Sequence, residues 1–481
     1  MKPFVFLGFS LLMISCTNSQ EKIKQVVEPS VFRDAIEFLA SDELLGRDTG
    51  SDGIRKAADY LSNEFNQLGL EYAPGLTSYR QEIAFYKRPK VNKASIQLSS
   101  GIRVTESDLF ARSGYSAELN APLWVSSDYD ESQKENYSGK IIVRNGANLQ
   151  AGVMNVLVNS DAQKQLFEKA GALAYIELLP TGFQWKNYFG YFGSQITTQE
   201  IPNTIPHICV VLSDSEFKKV KNRSIAEFKV EIQQIEPLSD ANIAAFLPGT
   251  DPKLKDEVIL VTAHYDHVGY KKGAKADEDS IFNGARDNAV GTVALLAGAK
   301  ALKRLDPKRS VLFLALTGEE KGLLGSKYYA ENPLIPLNKT VFNLNLDGAG
   351  YNDTSIVTFV GLDYYKQDSL LIKPLEEMGL RYHPDPDPKL NLFLRSDNIS
   401  FSNKGVPSAT YSLGFTAFDD TINKYYHQPG DETDDLDWAY IERFYEGFAN
   451  VLFTLTNTSE RIQFKEDKEP FYEAYQKLYS N

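Results

Sequence analysis

Residues 257–267 read Glu257-Val258-Ile259-Leu260-Val261-Thr262-Ala263-His264-Tyr265-Asp266-His267. The first part is a short apolar run, rich in β-branched residues, of the kind a strand buried on both faces requires. It stops in two imidazoles and a carboxylate. Outward from it the same grammar repeats. The spacing of Val293, Leu296, Ala297 and Leu302 predicts a helix over 289–305, opening behind Gly284-Ala285-Arg286-Asp287-Asn288. A strand over 311–316 stops at Thr317-Gly318-Glu319-Glu320, another over 341–346 stops at Asp347-Gly348, and Ile356 to Val360 is a further one. Strands alternating with helices predict an α/β fold: a mixed, mostly parallel central sheet with helices on both faces. Upstream, one helix is expected from Ser30. A second is expected from Ile54, Ala57, Ala58, Leu61, Phe65 and Leu68, with Gly69 as its stop.

In such sheets functional residues gather beyond the carboxyl ends of strands. Here those ends, together with the later Tyr425-Tyr426-His427-Gln428-Pro429, supply His264, Asp287, Glu320, Asp347 and His427. Imidazole plus carboxylate is the donor set that borderline metals such as zinc accept. Three carboxylates in one pocket repel one another. Two divalent cations offset them with a positive charge to spare, which acidifies nearby water. One carboxylate can bridge ions held ~3.5–4 Å apart. Glu319 and Glu320 are adjacent, so their side chains point in different directions. One can bind metal while the other faces the attacking water as general base. Asp266 lies two residues from His264 on an extended strand end and so shares its side, where a carboxylate can orient the imidazole.

The chain has 481 residues, a length that suggests two or three domains at about 150 residues each. At 42% hydrophobic and 24% charged residues it is neither disordered nor a multi-span membrane protein. A formal charge of −13 argues against nucleic acid as a partner, because phosphate binding needs a positive field. Two cysteines exclude a disulfide framework. Lys2, the apolar run Phe4 to Ile14 and Met13-Ile14-Ser15-Cys16 resemble the signal and lipobox of bacterial lipoproteins. The expectation is an address over 1–15, lipid on Cys16, a flexible tether over 16–28, and export to the cell envelope with the membrane as a partner through that lipid. Residues 29–109 and 238–458 are expected to form one domain, and 459–481 a charged peripheral tail. Short β-like runs such as Leu123-Trp124-Val125 and Ile208-Cys209-Val210-Val211 mark a β-rich insert over 110–237. In it Cys209 and His207 are expected to be structural.

The motifs taken together resemble metallopeptidase family twenty-eight: the two-zinc aminopeptidases, aminopeptidase Y and the glutamate carboxypeptidases. The likeness runs through His264-Tyr265-Asp266-His267, Asn283-Gly284-Ala285-Arg286-Asp287-Asn288, Thr317-Gly318-Glu319-Glu320, Asn345-Leu346-Asp347 and Tyr426-His427. It implies a zinc-exopeptidase-like fold and two Zn2+ per chain. His264 and Asp347 would hold one ion, Glu320 and His427 the other, and Asp287 would bridge. Glu319 would be the general base and Asp266 would support His264. Tyr426 would stabilise the oxyanion, as in the glutamate carboxypeptidase branch, with Tyr425 and Tyr411 as competitors. The insert resembles a protease-associated domain, which would cover or shape the cleft. Two positions depart from the family pattern: Arg286, where Asp or Asn is frequent, and Asn398, where a histidine is common.

The resemblance implies a peptide substrate and hydrolysis at chain ends, as an aminopeptidase in preference to a carboxypeptidase or dipeptidase. A glutaminyl-cyclase-like transferase would work with one zinc, and a receptor-like binding protein would have lost its ligands. The complete ligand set speaks against both. His267 is expected beside the metal rather than on it, and His383 in a solvent-exposed Pro-Asp loop. Asp431 either orients His427 or caps the turn.

Overall fold

The computed structural model describes residues 20–480 apart from 28, 99–100, 194, 202–203, 221, 272, 274 and 276–277. The address over 1–15 and Cys16 lie outside the described residues. Among the described residues no helix is long and apolar enough to cross a membrane. The chain divides into two units: one runs to Ile83 and resumes at Ser239, and the other is Ala84–Leu238.

The first unit is built on β1 (Leu238–Leu247), β2 (Val258–His264), β3 (Ser310–Leu316), β4 (Thr340–Leu346), β5 (Ile356–Val360), β6 (Arg381–His383) and β7 (Ser408–Ser412). They lie in the order β6-β5-β7-β4-β2-β3-β1. Strands β7, β4, β2 and β3 run parallel, while β1 and β5 run antiparallel to their neighbours β3 and β7. The side-chain period of two explains the apolar runs. Ile259, Val261 and Ala263 face a core shared with helices α1 (Pro29–Leu39), α2 (Asp52–Gln67), α3 (Val290–Leu305) and α4 (Trp438–Asn457). Val258 and Leu260 face the other side, with Leu312, Leu314, Tyr329 and Phe401. The expected α/β sheet with both faces covered is therefore present. Helix α2 is capped by Ser51, which accepts the Ile54 N–H, and it buries Ile54, Leu61 and Phe65. Each such burial is worth roughly 1.5–3 kcal/mol.

Three expected boundaries are corrected. Residues 20–26, assigned to a flexible tether, are helical, and Ile23, Val26 and Val27 are buried in the main core. Their i, i+3, i+4 spacing is a helical face hidden in a polar segment. The insert begins at Ala84 rather than 110, because Lys90–Leu98 pairs with Ile225–Gln233, and Ile102–Thr105 pairs with Lys90–Leu98. The buried positions Ala94, Ile96 and Leu98 alternate as strand pairing requires. The tail is not peripheral. Ile462, Phe464 and Phe471 are buried in the main core, and Tyr479 Oη donates to the Thr340 carbonyl.

The second unit holds an eight-stranded sheet and the helix Val153–Lys169. Arg144 and Glu177 form an ion pair of 2.7 Å there with neither side chain exposed, and Tyr175 Oη also donates to Glu177. Cys209 is buried, and burial pushes its thiol up, away from the reactive thiolate. His207 is buried with Nε2 2.8 Å from Ser160 Oγ; burial lowers its pKa to about 3, so the ring is neutral. Both residues pack as structural groups.

Candidate metal centre

Strand register brings the site together. His264 at the end of β2 pairs with Leu316 at the end of β3, and Ala263 pairs with Leu346 at the end of β4. The three strands therefore stop at one level, and His264, Thr317 to Glu320, and Asp347 emerge along one edge. Asp287 comes from the turn before α3. That turn needs Gly284, whose φ is +61° and where a Cβ would stand 2.7 Å from the His267 ring. Asn288 Nδ2 donates to the carbonyls of His264 (3.3 Å) and Leu346 (2.9 Å), and Thr292 Oγ1 donates to the His264 carbonyl at 2.7 Å. The turn is thus stitched to both strand ends. His427 arrives from a loop far along the chain, with φ +54°.

Two groups of donors result. One is His264, Asp287 and Asp347; the other is His267, Asp287, Glu320 and His427; within each, the ligand atoms lie within 4.8 Å of one another. Asp287 belongs to both. Its Oδ1 is 3.3 Å from His264 Nε2 and its Oδ2 is 3.2 Å from His427 Nε2. Asp347 Oδ1 lies 3.4 Å from His264 Nε2, and Glu320 Oε1 lies 3.2 Å from His427 Nε2. These nitrogen and oxygen donors are of the kinds that a divalent metal such as zinc accepts. Among the described residues both groups fall in the first unit, and Glu319 belongs to neither. It lines the adjoining cavity with Asp347, Ser396, Phe415 and Tyr426.

The electrostatics are those of a buried acid cluster. Burial would raise the Asp287 carboxyl, but hydrogen bonds with His264 and His427 outweigh it and hold the group well below the usual range. Burial would lower the two imidazoles, but Asp287 and Asp347 push His264 well up, and Asp287 and Glu320 push His427 up to about 10. Glu319 is raised well above its ordinary value, first by burial, with Glu320, Asp347 and Asp397 adding to it.

Asp266 supports the site differently from the expectation. Its carboxylate stands 3.9 Å from His264 Nδ1, beyond hydrogen-bond reach, and its backbone carbonyl is the nearer partner at 3.2 Å. The carboxylate instead accepts the backbone N–H groups of Glu319 (3.1 Å) and Glu320 (3.2 Å) and the hydroxyl of Thr49 at 3.1 Å. The strand stops at His264, so Asp266 lies beyond it, where strand alternation no longer applies. His267 stands closer than expected, with Nδ1 2.9 Å from Glu320 Oε1. Tyr426 stacks on His427 at 4.1 Å and lines the cavity, whereas Tyr411 Oη is committed to the Phe444 carbonyl. Tyr425 lies under the Arg286 guanidinium. Asn398 Nδ2 donates to the Phe393 carbonyl, and His383 Nδ1 lies 2.8 Å from the Pro384 carbonyl, both away from the donors.

One supporting side chain gave no signal in the sequence. The buried Arg47 donates to the carbonyls of Tyr265 (2.9 Å), Asn283 (2.6 Å) and Gly284 (3.0 Å), and to that of Leu39. It ties the His264 strand end to the Asp287 turn. Asp431 neither orients His427 nor merely caps a turn: its carboxylate accepts the N–H groups of Arg286 and Asp287.

Residues 242–452 match the model of the family described as Peptidase family M28. Aminopeptidase YwaD of Bacillus subtilis is 27% identical over 186 residues, which cover 37% of this chain and 37% of that protein. A vacuolar membrane protease of Saccharomyces cerevisiae is 29% identical over 160 residues, 30% of this chain and 15% of that protein. The matched stretches thus span well under two thirds of these relatives. Among solved structures, an aminopeptidase from Aneurinibacillus sp. strain AM-1 is alike in fold, with a TM-score of 0.55 at 18% identity over 92% of this chain and 97% of that one.

Proposed function

We propose, from the match of residues 242–452 to the peptidase family M28 model, that the protein is a zinc-dependent aminopeptidase of that family with two Zn2+ per chain. The observation that carries the reading is Asp287, whose two oxygens face the histidines of two separate donor groups at 3.3 and 3.2 Å. His264, Asp347 and Asp287 would hold one ion, and Glu320, His427 and Asp287 the other. When bound, zinc supplies Lewis acidity and lowers the pKa of water. Glu319, left out of both groups, takes the proton of the attacking water and passes it to the nitrogen of the leaving amine as the peptide bond breaks. Asp266 fixes the backbone from which Glu319 and Glu320 project. Tyr426 donates its hydroxyl proton in a hydrogen bond to the carbonyl oxygen as negative charge develops there. We further propose that the protein is exported and held at the cell envelope by lipid on Cys16.

The test is Glu319→Gln. It should keep both metal equivalents and lose at least ~1,000-fold in kcat, with leucyl-p-nitroanilide as substrate. Near-normal turnover removes Glu319 from the role. A peptide library with free and blocked N-termini separates the exopeptidase classes: cleavage only of N-blocked peptides, from the C-terminus, would make the enzyme a carboxypeptidase.

A further inference from the structure

Arg286 sits immediately before the shared carboxylate of Asp287. Its side chain is 3% exposed. Nη1 donates to Asp431 Oδ1 and to the Glu432 carbonyl, both at 3.0 Å, and Nη2 donates to Asp435 Oδ1 at 2.8 Å. The guanidinium carbon lies 3.8 Å from the centre of the Tyr425 ring, and the Tyr425 hydroxyl closes the circuit by donating to Asp435. One planar cation therefore grips the chain on both sides of His427: Tyr425 before it, Asp431 to Asp435 after it.

We propose that Arg286 is a positioning residue that sets the second donor group by locking the loop carrying His427 against the turn carrying Asp287. This rests on the metal-centre reading above. His427 needs such a lock. Its φ of +54° is uncommon for a non-glycine residue, although histidine adopts it more readily than most. Its ligand partner Asp287 is the next residue after Arg286, and Asp431 accepts the N–H groups of both Arg286 and Asp287. The Arg286 side chain thus adds to the Ala285 N–H bond to the Asp431 carbonyl and the Asn283 Nδ2 bond to Glu432 in setting the 3.2 Å spacing of His427 Nε2 and Asp287 Oδ2. Apart from the shared Asp287, the first donor group has no such dependence. His264 and Asp347 are placed by strand register, with Asn288 and Thr292 stitched to the strand ends. Lysine cannot substitute, because a point charge on a flexible stem offers neither the fork nor a face to stack on the ring.

The experiment is zinc titration of metal-free full-length protein by calorimetry, repeated with cobalt(II) and read by visible absorption and EPR. The native protein should bind two equivalents. Arg286→Lys should bind the first within about threefold of native and the second at least ~10-fold more weakly, with the magnetic coupling of the cobalt pair lost at sub-saturating metal. The double variant Arg286→Met with Asp431→Asn removes both members of the buried pair, so no lone buried charge burdens its fold, and the same selective weakening is expected. Two equivalents at native affinity in both variants overturn the proposal. So does equal weakening of both equivalents, which would mark a general loss of fold. A native protein that binds fewer than two equivalents overturns the metal-centre reading, and the inference with it.

Discussion

Asp266→Asn separates two accounts of a buried carboxylate at the centre of this site. The native oxygens divide their work: Oδ1 accepts the Glu319 N–H at 3.1 Å, and Oδ2 accepts the Glu320 N–H at 3.2 Å and the Thr49 hydroxyl at 3.1 Å. An amide of the same shape keeps one oxygen. Whichever way it turns, its NH2 faces a backbone N–H, and that buried donor loses its acceptor. An unsatisfied buried donor costs about 1–3 kcal/mol, which lowers Tm by roughly 2–5 °C in a unit of this size. The kinetic cost is larger, because a shift of ~1 Å in a reacting group costs about 100-fold. We expect kcat on leucyl-p-nitroanilide to fall ~100-fold while the donor group of His264, Asp287 and Asp347 keeps its metal affinity. Metal content by mass spectrometry, Tm by fluorescence and steady-state kinetics together give the answer. The reasoning is refuted if kcat stays within about threefold of native, or if the His264 group is the one that loses metal. The second result would mean that the carboxylate acts on the imidazole after all.

Two further outcomes follow from the same geometry. Tyr426→Phe should lower kcat ~100-fold, with KM and both metal equivalents unchanged, since the hydroxyl is expected to act on charge that develops only during reaction; an unchanged kcat would leave the ring as a stacking partner of His427 only. Metal binding should release protons at pH 7. His427 is raised to about 10 in the ion-free site and His264 is raised well above 6.5, so both rings are charged there and must deprotonate to ligate. Zinc affinity should therefore increase with pH across that range. The stability the His427 imidazolium lends the metal-free fold is complete below about 6.5 and is lost as pH rises through about 10. Calorimetry in buffers of different ionisation heat counts the protons, and a count of zero contradicts the electrostatics.

The catalytic sheet was legible because strands buried on both faces leave uninterrupted apolar runs, and Val258 to Ala263 and Val311 to Leu316 could be read as strands on sight. The candidate donors were legible for a related reason: a polar cluster directly after such a run has few structural uses. What the sequence could not display is register. Only the pairing of His264 with Leu316, and of Ala263 with Leu346, shows that three strands stop at one level. The role of Asp266 was not legible because alternation holds only along a strand, and β2 ends at His264. Arg47 was invisible, since its bonds run to backbone carbonyls that have no side-chain signature. The insert boundary was misplaced because residues 84–109 mix lysines and acids on the open face of strands whose other face, at Ala94, Ile96 and Leu98, is buried.

The short helix at residues 20–26 bears on where substrates must be. Ile23, Val26 and Val27 are buried in the main core, so the chain is committed to the folded body from about residue 20. With lipid on Cys16, the link from anchor to body is four residues, at most ~14 Å when fully extended. A leash of that length would keep the folded body within about 14 Å of the bilayer surface and restrict its tumbling. It would sample peptides arriving along the membrane surface, at a fixed altitude, rather than sweep the surrounding volume.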